Sequence, residues 1–143
     1  MTSPLRVLVA LALCAIAAGT AGCGNATDVT SAKMDGDVAR TYANYLRRQQ
    51  AAEGLAPAAA LAVSARCGRG GRLSASTGAG KDWQCVITAQ PRGAPTRARY
   101  DVVARATACY TATSPDFGAQ TIRTAAGRRV DNPLYQFDGC LPG

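Results

Sequence analysis

Histidine is absent from this 143-residue sequence, only two lysines are present, and aromatic (6%) and charged (17%) residues are scarce. Without imidazole there can be no Ser-His-Asp or Cys-His triad and no histidine-ligated zinc site. The charged fraction is below the roughly 25% of an ordinary soluble domain. Alanine supplies much of the 48% hydrophobic content. The sequence therefore predicts one small domain with a modest core, and it makes most familiar enzyme classes unlikely.

The apolar run at residues 7–18 has twelve residues. This is short for a membrane-spanning helix, which needs about 20. The run follows Arg6 and precedes small residues, which is the order found in a secretory signal. We therefore predict that residues 1–22 are a signal peptide and that the protein is exported.

The segment Thr20-Ala21-Gly22-Cys23 closes this signal and resembles the lipobox of bacterial lipoproteins. In that family the cysteine is acylated and the chain is cut just before it. The resemblance implies a lipid on Cys23, with residues 23–34 as a tether to the outer face of the cell membrane. The alternative is ordinary signal-peptidase cleavage, which would release a soluble secreted protein.

Cysteine counting is consistent with this interpretation, because Cys14 leaves with the signal and five cysteines remain: Cys23, Cys67, Cys85, Cys109 and Cys140. If Cys23 carries lipid, the other four can all pair in an oxidising compartment. Closeness in sequence favours the pairs Cys67–Cys85 and Cys109–Cys140 over the two other connectivities. No Cys-x-x-Cys motif or zinc-ribbon spacing is present, so structural disulfides are preferred to a redox or metal site.

One amphipathic helix is predicted over residues 35–53. Its inner face carries residues at helical spacing, namely Val38, Tyr42, Tyr45 and Leu46. Asp35 or Asp37 is expected to cap the first turn, and Gly54 with Pro57 is expected to end the helix.

Beyond Pro57 the hydrophobic period changes to two, which predicts strands within residues 61–66, 83–88, 97–105 and 109–113. A weak hairpin is expected around Ile122 and Val130, and Pro133 and Pro142 favour an irregular tail. The aromatic residues are interpreted as core or as a half-exposed patch for a partner. The fold class is therefore α+β over residues 35–143, with one helix packed on an antiparallel sheet of about four strands braced by two disulfides.

Removal of residues 1–22 takes away one arginine and no acid, which lowers the formal net charge from +7 to +6. The candidate binding residues are arginines around two predicted loops, namely Arg66, Arg69, Arg72, Arg92, Arg97 and Arg99. Such a cluster attracts anionic head groups or wall polymers, and its alternative interpretation is a solvated surface. Nucleic acid is not expected, because no aromatic residues interleave with the arginines. No cofactor or metal is predicted.

Two classes of function follow. With the lipobox-like Cys23, one helix, Cys67 and the segment Trp83-Gln84-Cys85-Val86-Ile87, the chain resembles the small uncharacterised lipoproteins of actinobacteria. This implies a non-catalytic binding or accessory module that contacts an anionic envelope polymer or a membrane protein. The alternative is an envelope hydrolase that uses carboxylates or a Ser-Lys pair, for which Ser74 or Ser76 would have to approach Lys81.

Overall fold

The computed structural model describes residues 28–56, 61–91 and 95–143. The elements in this part of the chain are α1 (Ser31–Ala52), β1 (Val63–Arg69), β2 (Gly80–Ala89), β3 (Thr96–Ala104), β4 (Cys109–Thr113), β5 (Thr121–Arg123), β6 (Arg129–Asp131) and β7 (Gln136–Cys140). The predicted signal peptide, Cys23, Pro57 and Arg92 lie outside the described residues.

The folded region begins earlier than predicted. Thr30 caps α1, because its side-chain oxygen accepts a hydrogen bond from the backbone N–H of Lys33 at 3.3 Å. Val29 and Met34 are fully buried. The expected helix start at residue 35, the aspartate caps and the tether boundary at residue 34 are therefore wrong. Two apolar side chains in the supposed tether belong to the core.

The other end of α1 agrees with the prediction. Gly54 follows the last helical turn with φ +74°, the left-handed conformation that glycine adopts without steric cost. The same glycine permits a close approach, since a Cβ there would lie 2.9 Å from the Cβ of Ala125. The backbone N–H of Ala125 donates to Ala52 O at 2.8 Å, which joins the β5–β6 turn to the end of the helix.

The main sheet has five antiparallel strands in the order β1-β2-β3-β4-β7. The fifth strand, β7, lies in the tail that was expected to be irregular, so that expectation is wrong. Pro133 and Pro142 flank β7 without interrupting it, and Phe137 within it is buried. The weak hairpin is confirmed, with Ile122 opposite Val130 in a separate two-stranded sheet.

The two faces of the five-stranded sheet differ in what covers them. The covered face packs on α1 and holds the large buried side chains, namely Trp83, Ile87, Tyr100, Val102, Tyr110 and Phe137. From the helix, Tyr42 meets the rings of Tyr100 and Phe137 edge-on, with centroids 6.1 and 6.3 Å apart. We call the opposite side, which the alternation of the strands leaves half-buried or exposed, the open face. The α+β prediction is thus confirmed.

Both predicted disulfides are present, with S–S distances of 2.04 Å for Cys67–Cys85 and 2.09 Å for Cys109–Cys140. Each joins residues directly opposite each other on neighbouring strands. The strand alternation places Cys67–Cys85 on the covered face, where both residues are buried, and Cys109–Cys140 on the open face, where Cys140 is exposed. Such bonds persist in an oxidising, extracellular-type environment.

Candidate anion-binding face

Three of the predicted arginines meet on the open face. In the sheet register, Val86 on β2 lies opposite Arg66 on β1 and opposite Arg99 on β3. Arg97 is two residues before Arg99, so its side chain leaves the same face. Since neighbouring strands are about 5 Å apart, Arg66 and Arg99 stand roughly 10 Å apart across Val86. The three arginines therefore form one cluster, which we call the basic corner.

The basic corner is open to solvent, because Arg66, Arg97 and Arg99 are all exposed. Within residues 28–56, 61–91 and 95–143, none of the three guanidinium groups forms a hydrogen bond or a salt bridge. Val86, between two of them, is half-buried. The basic corner can therefore present three positive charges to a flat surface. The distances between these charges are close to the Debye length of about 8 Å at physiological salt.

Acidic side chains also lie on or beside the open face. The carboxylate of Asp101 accepts a hydrogen bond from the Gln84 side chain at 3.3 Å, one row beyond Arg99. On β7, Asp138 accepts a hydrogen bond from the hydroxyl of Thr111. Carboxylates therefore border the basic corner, since Asp101 is two residues from Arg99 on the same face and Asp116 accepts a hydrogen bond from the backbone N–H of Arg99 at 2.8 Å.

Arg69 and Arg72 are not part of the basic corner. Arg69 lies at the far end of β1 and forms a salt bridge with Asp82, with 2.8 Å between Nη2 and Oδ1. Its guanidinium also donates to Thr77 O at 3.0 Å. The hydrogen bond from Arg69 lowers the pKa of Asp82. Arg72 is exposed beside them in the loop after β1. One of these two cations is therefore already neutralised.

The free edge of β1, beside the basic corner, is partly closed by the helix. The carboxylate of Asp35 accepts a hydrogen bond from the backbone N–H of Cys67 at 2.6 Å. Burial raises the pKa of Asp35, while this hydrogen bond and the charge of Arg66 act in the opposite direction. Asp35 thus satisfies an edge-strand donor that would otherwise be open to pairing with another chain.

Asp37 makes a second tertiary contact where a helix cap was expected. Its buried carboxylate accepts a hydrogen bond from the buried hydroxyl of Tyr110 on β4 at 2.9 Å, and it forms a salt bridge with Arg40 at 3.2 Å. The residue therefore ties α1 to the covered face. A sequence pattern of two aspartates near a helix start does not reveal this, because the partner is 73 residues away.

The serine–lysine arrangement required by the hydrolase alternative is not formed in the described part of the chain. The hydroxyl of Ser76 donates to Ser74 O at 3.0 Å and accepts from the backbone N–H of Arg69 at 3.1 Å. Lys81 is exposed on β2 and makes no hydrogen bond with either serine among these residues. Ser76 therefore contributes to holding the loop between β1 and β2.

A polar cavity was not anticipated from the sequence. It has a volume of about 490 Å³ and lies where the ends of β4 and β6 meet the start of β7. Tyr135, at its wall, is half-buried, but it is neither one of the buried core residues nor packed against them. The only sequence signal was the density of amide and aromatic side chains between residues 132 and 137.

Comparison with protein-family models, curated proteins and solved structures found no match. Among the described residues, no helix is long and apolar enough to cross a membrane. The disulfides are the remaining indicator of location, and they indicate an oxidising compartment.

Proposed function

We propose that this protein is a non-catalytic binding module of the cell envelope, held by a lipid on Cys23 at the outer face of the cytoplasmic membrane, and that its basic corner binds anionic surfaces. The observation that carries the proposal is the meeting of Arg66, Arg97 and Arg99 on one open sheet face, where none of their guanidinium groups forms a salt bridge with the described residues. The +6 charge predicted after signal removal supports it. The targets are phospholipid head groups or wall polymers that carry phosphate or carboxylate groups.

Electrostatics supplies the mechanism. Each basic residue held near a negatively charged membrane contributes about 1 kcal/mol, so three contribute about 3 kcal/mol, or about 100-fold in affinity. Because arginine keeps its charge at all physiological pH values, binding depends on ionic strength and very little on pH. Salt must weaken the interaction, because exposed charges are screened.

The binding test uses lipid-free protein that begins at Gly24, since all the described contacts lie at or after residue 28. Vesicles of phosphatidylcholine with increasing phosphatidylglycerol content are the probe. Exchange of Arg66, Arg97 and Arg99 for Gln is expected to weaken binding to the anionic vesicles by about 100-fold. The matched control exchanges Arg123, Arg128 and Arg129 for Gln. These arginines are exposed on the β5–β6 hairpin, and their exchange removes the same amount of charge.

Two outcomes would contradict the proposed surface. Binding that ignores vesicle charge and ionic strength would show that the arginines are only a solvated face. An equal loss in both triple variants would show that net charge, and not the basic corner, determines binding.

The anchor has its own test. A Cys23→Ser variant is expected to accumulate as unprocessed precursor, because the acylated thiol is missing. Membrane fractionation and the mass of the N-terminal peptide measure this. If the variant is processed and distributed like the wild type, the protein is secreted in soluble form.

A further inference from the structure

We infer that the polar cavity between the ends of β4, β6 and β7 is a binding site for an uncharged saccharide. Six residues line it: Thr113, Gln120, Asp131, Asn132, Tyr135 and Gln136. The volume of about 490 Å³ is within the usual range for small-molecule sites. None of these residues belongs to the basic corner, so this site is independent of the proposed surface binding.

Hydrogen bonds to the backbone hold part of the cavity lining in place. Asn132 is buried, and its side chain donates to Ala119 O at 3.0 Å and accepts from the N–H of Leu134 at 3.0 Å. The carbonyl of Tyr135 accepts from the N–H of Ser114 at 2.9 Å, which ties it to the end of β4. The backbone around Asn132 and Tyr135 is therefore in place before a ligand binds, which favours affinity.

Several polar groups of the lining have no hydrogen-bond partner among the described residues, so a ligand can bind them. The Gln120 side chain donates to the Tyr135 hydroxyl at 3.1 Å, which leaves the Gln120 carbonyl oxygen and the Tyr135 O–H available. Gln136 uses its side-chain oxygen to accept from Thr113 at 3.4 Å, which leaves its NH₂ group. The exposed carboxylate of Asp131 makes no hydrogen bond or salt bridge with the described residues. Donors and acceptors thus occur together, as the hydroxyl groups of a sugar require.

Tyr135 supplies the apolar element. In the described part of the chain its ring contacts no other ring, and it lies outside the aromatic cluster around Phe137. The electron-rich face of an aromatic ring attracts the weakly positive C–H bonds of a sugar ring. A half-buried tyrosine beside free amide groups is therefore suited to a carbohydrate more than to a fatty ligand.

The charge of the cavity selects against anions. Among the described residues that line the cavity, Asp131 alone is charged at neutral pH, and none is an arginine or a lysine. A phosphate or carboxylate ligand would meet this negative charge without a compensating cation. An uncharged saccharide satisfies the same groups without repulsion.

The test is titration of the ¹⁵N-labelled protein beginning at Gly24 with chitotetraose, cellotetraose and mannotetraose, with tetragalacturonate as the anionic comparator. At least one neutral oligosaccharide is expected to shift the side-chain amide signals of Gln120 and Gln136, independently of salt. Tyr135→Ala should weaken this binding by about tenfold, and Asp131→Asn should weaken it less. Asp138→Asn, an exposed aspartate of β7 outside the cavity, is the matched control and should have no effect.

Three results would overturn the inference: no shift with any neutral oligosaccharide at millimolar concentration, equal binding of tetragalacturonate, or unchanged binding by the Tyr135→Ala protein. The Arg66, Arg97 and Arg99 variant separates the two proposals. It should lose vesicle binding and keep saccharide binding, so either function can fail while the other stands.

Discussion

The two faces of the five-stranded sheet are built from the same strands and have opposite chemistry. Along β3, Tyr100 and Val102 are buried against the helix, while Arg97, Arg99 and Asp101 between and beside them are exposed. The hydroxyl of Tyr100 is satisfied inside by Leu134 O at 2.6 Å. Stability is therefore concentrated on the covered face and charge on the open face. Each can be altered with little effect on the other.

The disulfides repeat this division. Cys67–Cys85 is sealed beneath the helix, whereas Cys109–Cys140 lies on the open face with one sulfur-bearing residue exposed. Their sequence separations of 18 and 31 residues give similar loop-closure entropies. What distinguishes the two crosslinks is access to solvent.

The largest expected contrast is between two adjacent residues of β7. Phe137 is 2% exposed and touches the rings of Tyr42 and Tyr100, so Phe137→Ala should cost about 3–5 kcal/mol of unfolding free energy. Gln136 faces the other way, and Gln136→Ala should change it by less than about 0.5 kcal/mol. Urea unfolding followed by Trp83 fluorescence measures both. Similar losses would show that the open face also carries stability.

The disulfides give the next contrast. Joint exchange of Cys67 and Cys85 for Ala should cost about 3 kcal/mol. In the folded wild type, limited dithiothreitol should reduce Cys109–Cys140 first, because a thiolate can reach the exposed Cys140. Alkylation followed by peptide mass spectrometry follows each thiol. Equal rates of modification would mean that the buried pair is not protected.

The fold class could be predicted because burial on one side of a sheet leaves a period of two in the sequence. Residues 83–88 and 97–105 show that period clearly, and helical spacing marks Val38, Tyr42 and Leu46. The nearest-neighbour cysteine pairing also agreed, since each pair joins facing strands. Local patterns suffice when the physical cause is local.

Misjudged features depend on distant partners. Prolines on either side of β7 suggested an irregular tail, because nothing nearby reveals that β4 supplies its hydrogen bonds. Two aspartates near a helix start predict a cap, but Asp35 accepts a hydrogen bond from the backbone N–H of Cys67 and Asp37 accepts one from the hydroxyl of Tyr110. The basic corner forms because β1 and β3 both pair with β2. The cavity at Tyr135 forms because the ends of β4, β6 and β7 meet. Register between strands, which composition does not encode, determines both candidate sites.

The covered face also loses stability at alkaline pH. Burial raises the pKa of Tyr42 to about 12 and also raises the pKa values of Tyr100 and Tyr110. An unfolded tyrosine ionises near pH 10, so the folded state holds its protons more tightly. The stabilisation from Tyr42 is complete below about pH 10 and is lost as the pH rises towards the folded pKa of about 12. Between these values the unfolding free energy falls by about 1.4 kcal/mol per pH unit for each such tyrosine.

Unfolding free energies measured from neutral pH to about pH 12 should therefore fall steeply above about pH 10. In Tyr42→Phe, which loses no hydrogen bond to any described residue, the fall should be shallower. An identical slope in both proteins would contradict the assignment to Tyr42.

The smallest expected effect on stability is on the open face, at the residues proposed for binding. Arg66, Arg97 and Arg99 are exposed and without ion pairs in the described chain, so their joint exchange for Gln should change the unfolding free energy by less than about 0.5 kcal/mol. Relief of repulsion between like charges favours the variant slightly. The same protein is expected to lose binding to anionic vesicles. Urea unfolding of this variant beside the wild type checks the first expectation, and a loss of more than about 1 kcal/mol would mean that the arginines serve the fold as well as the surface.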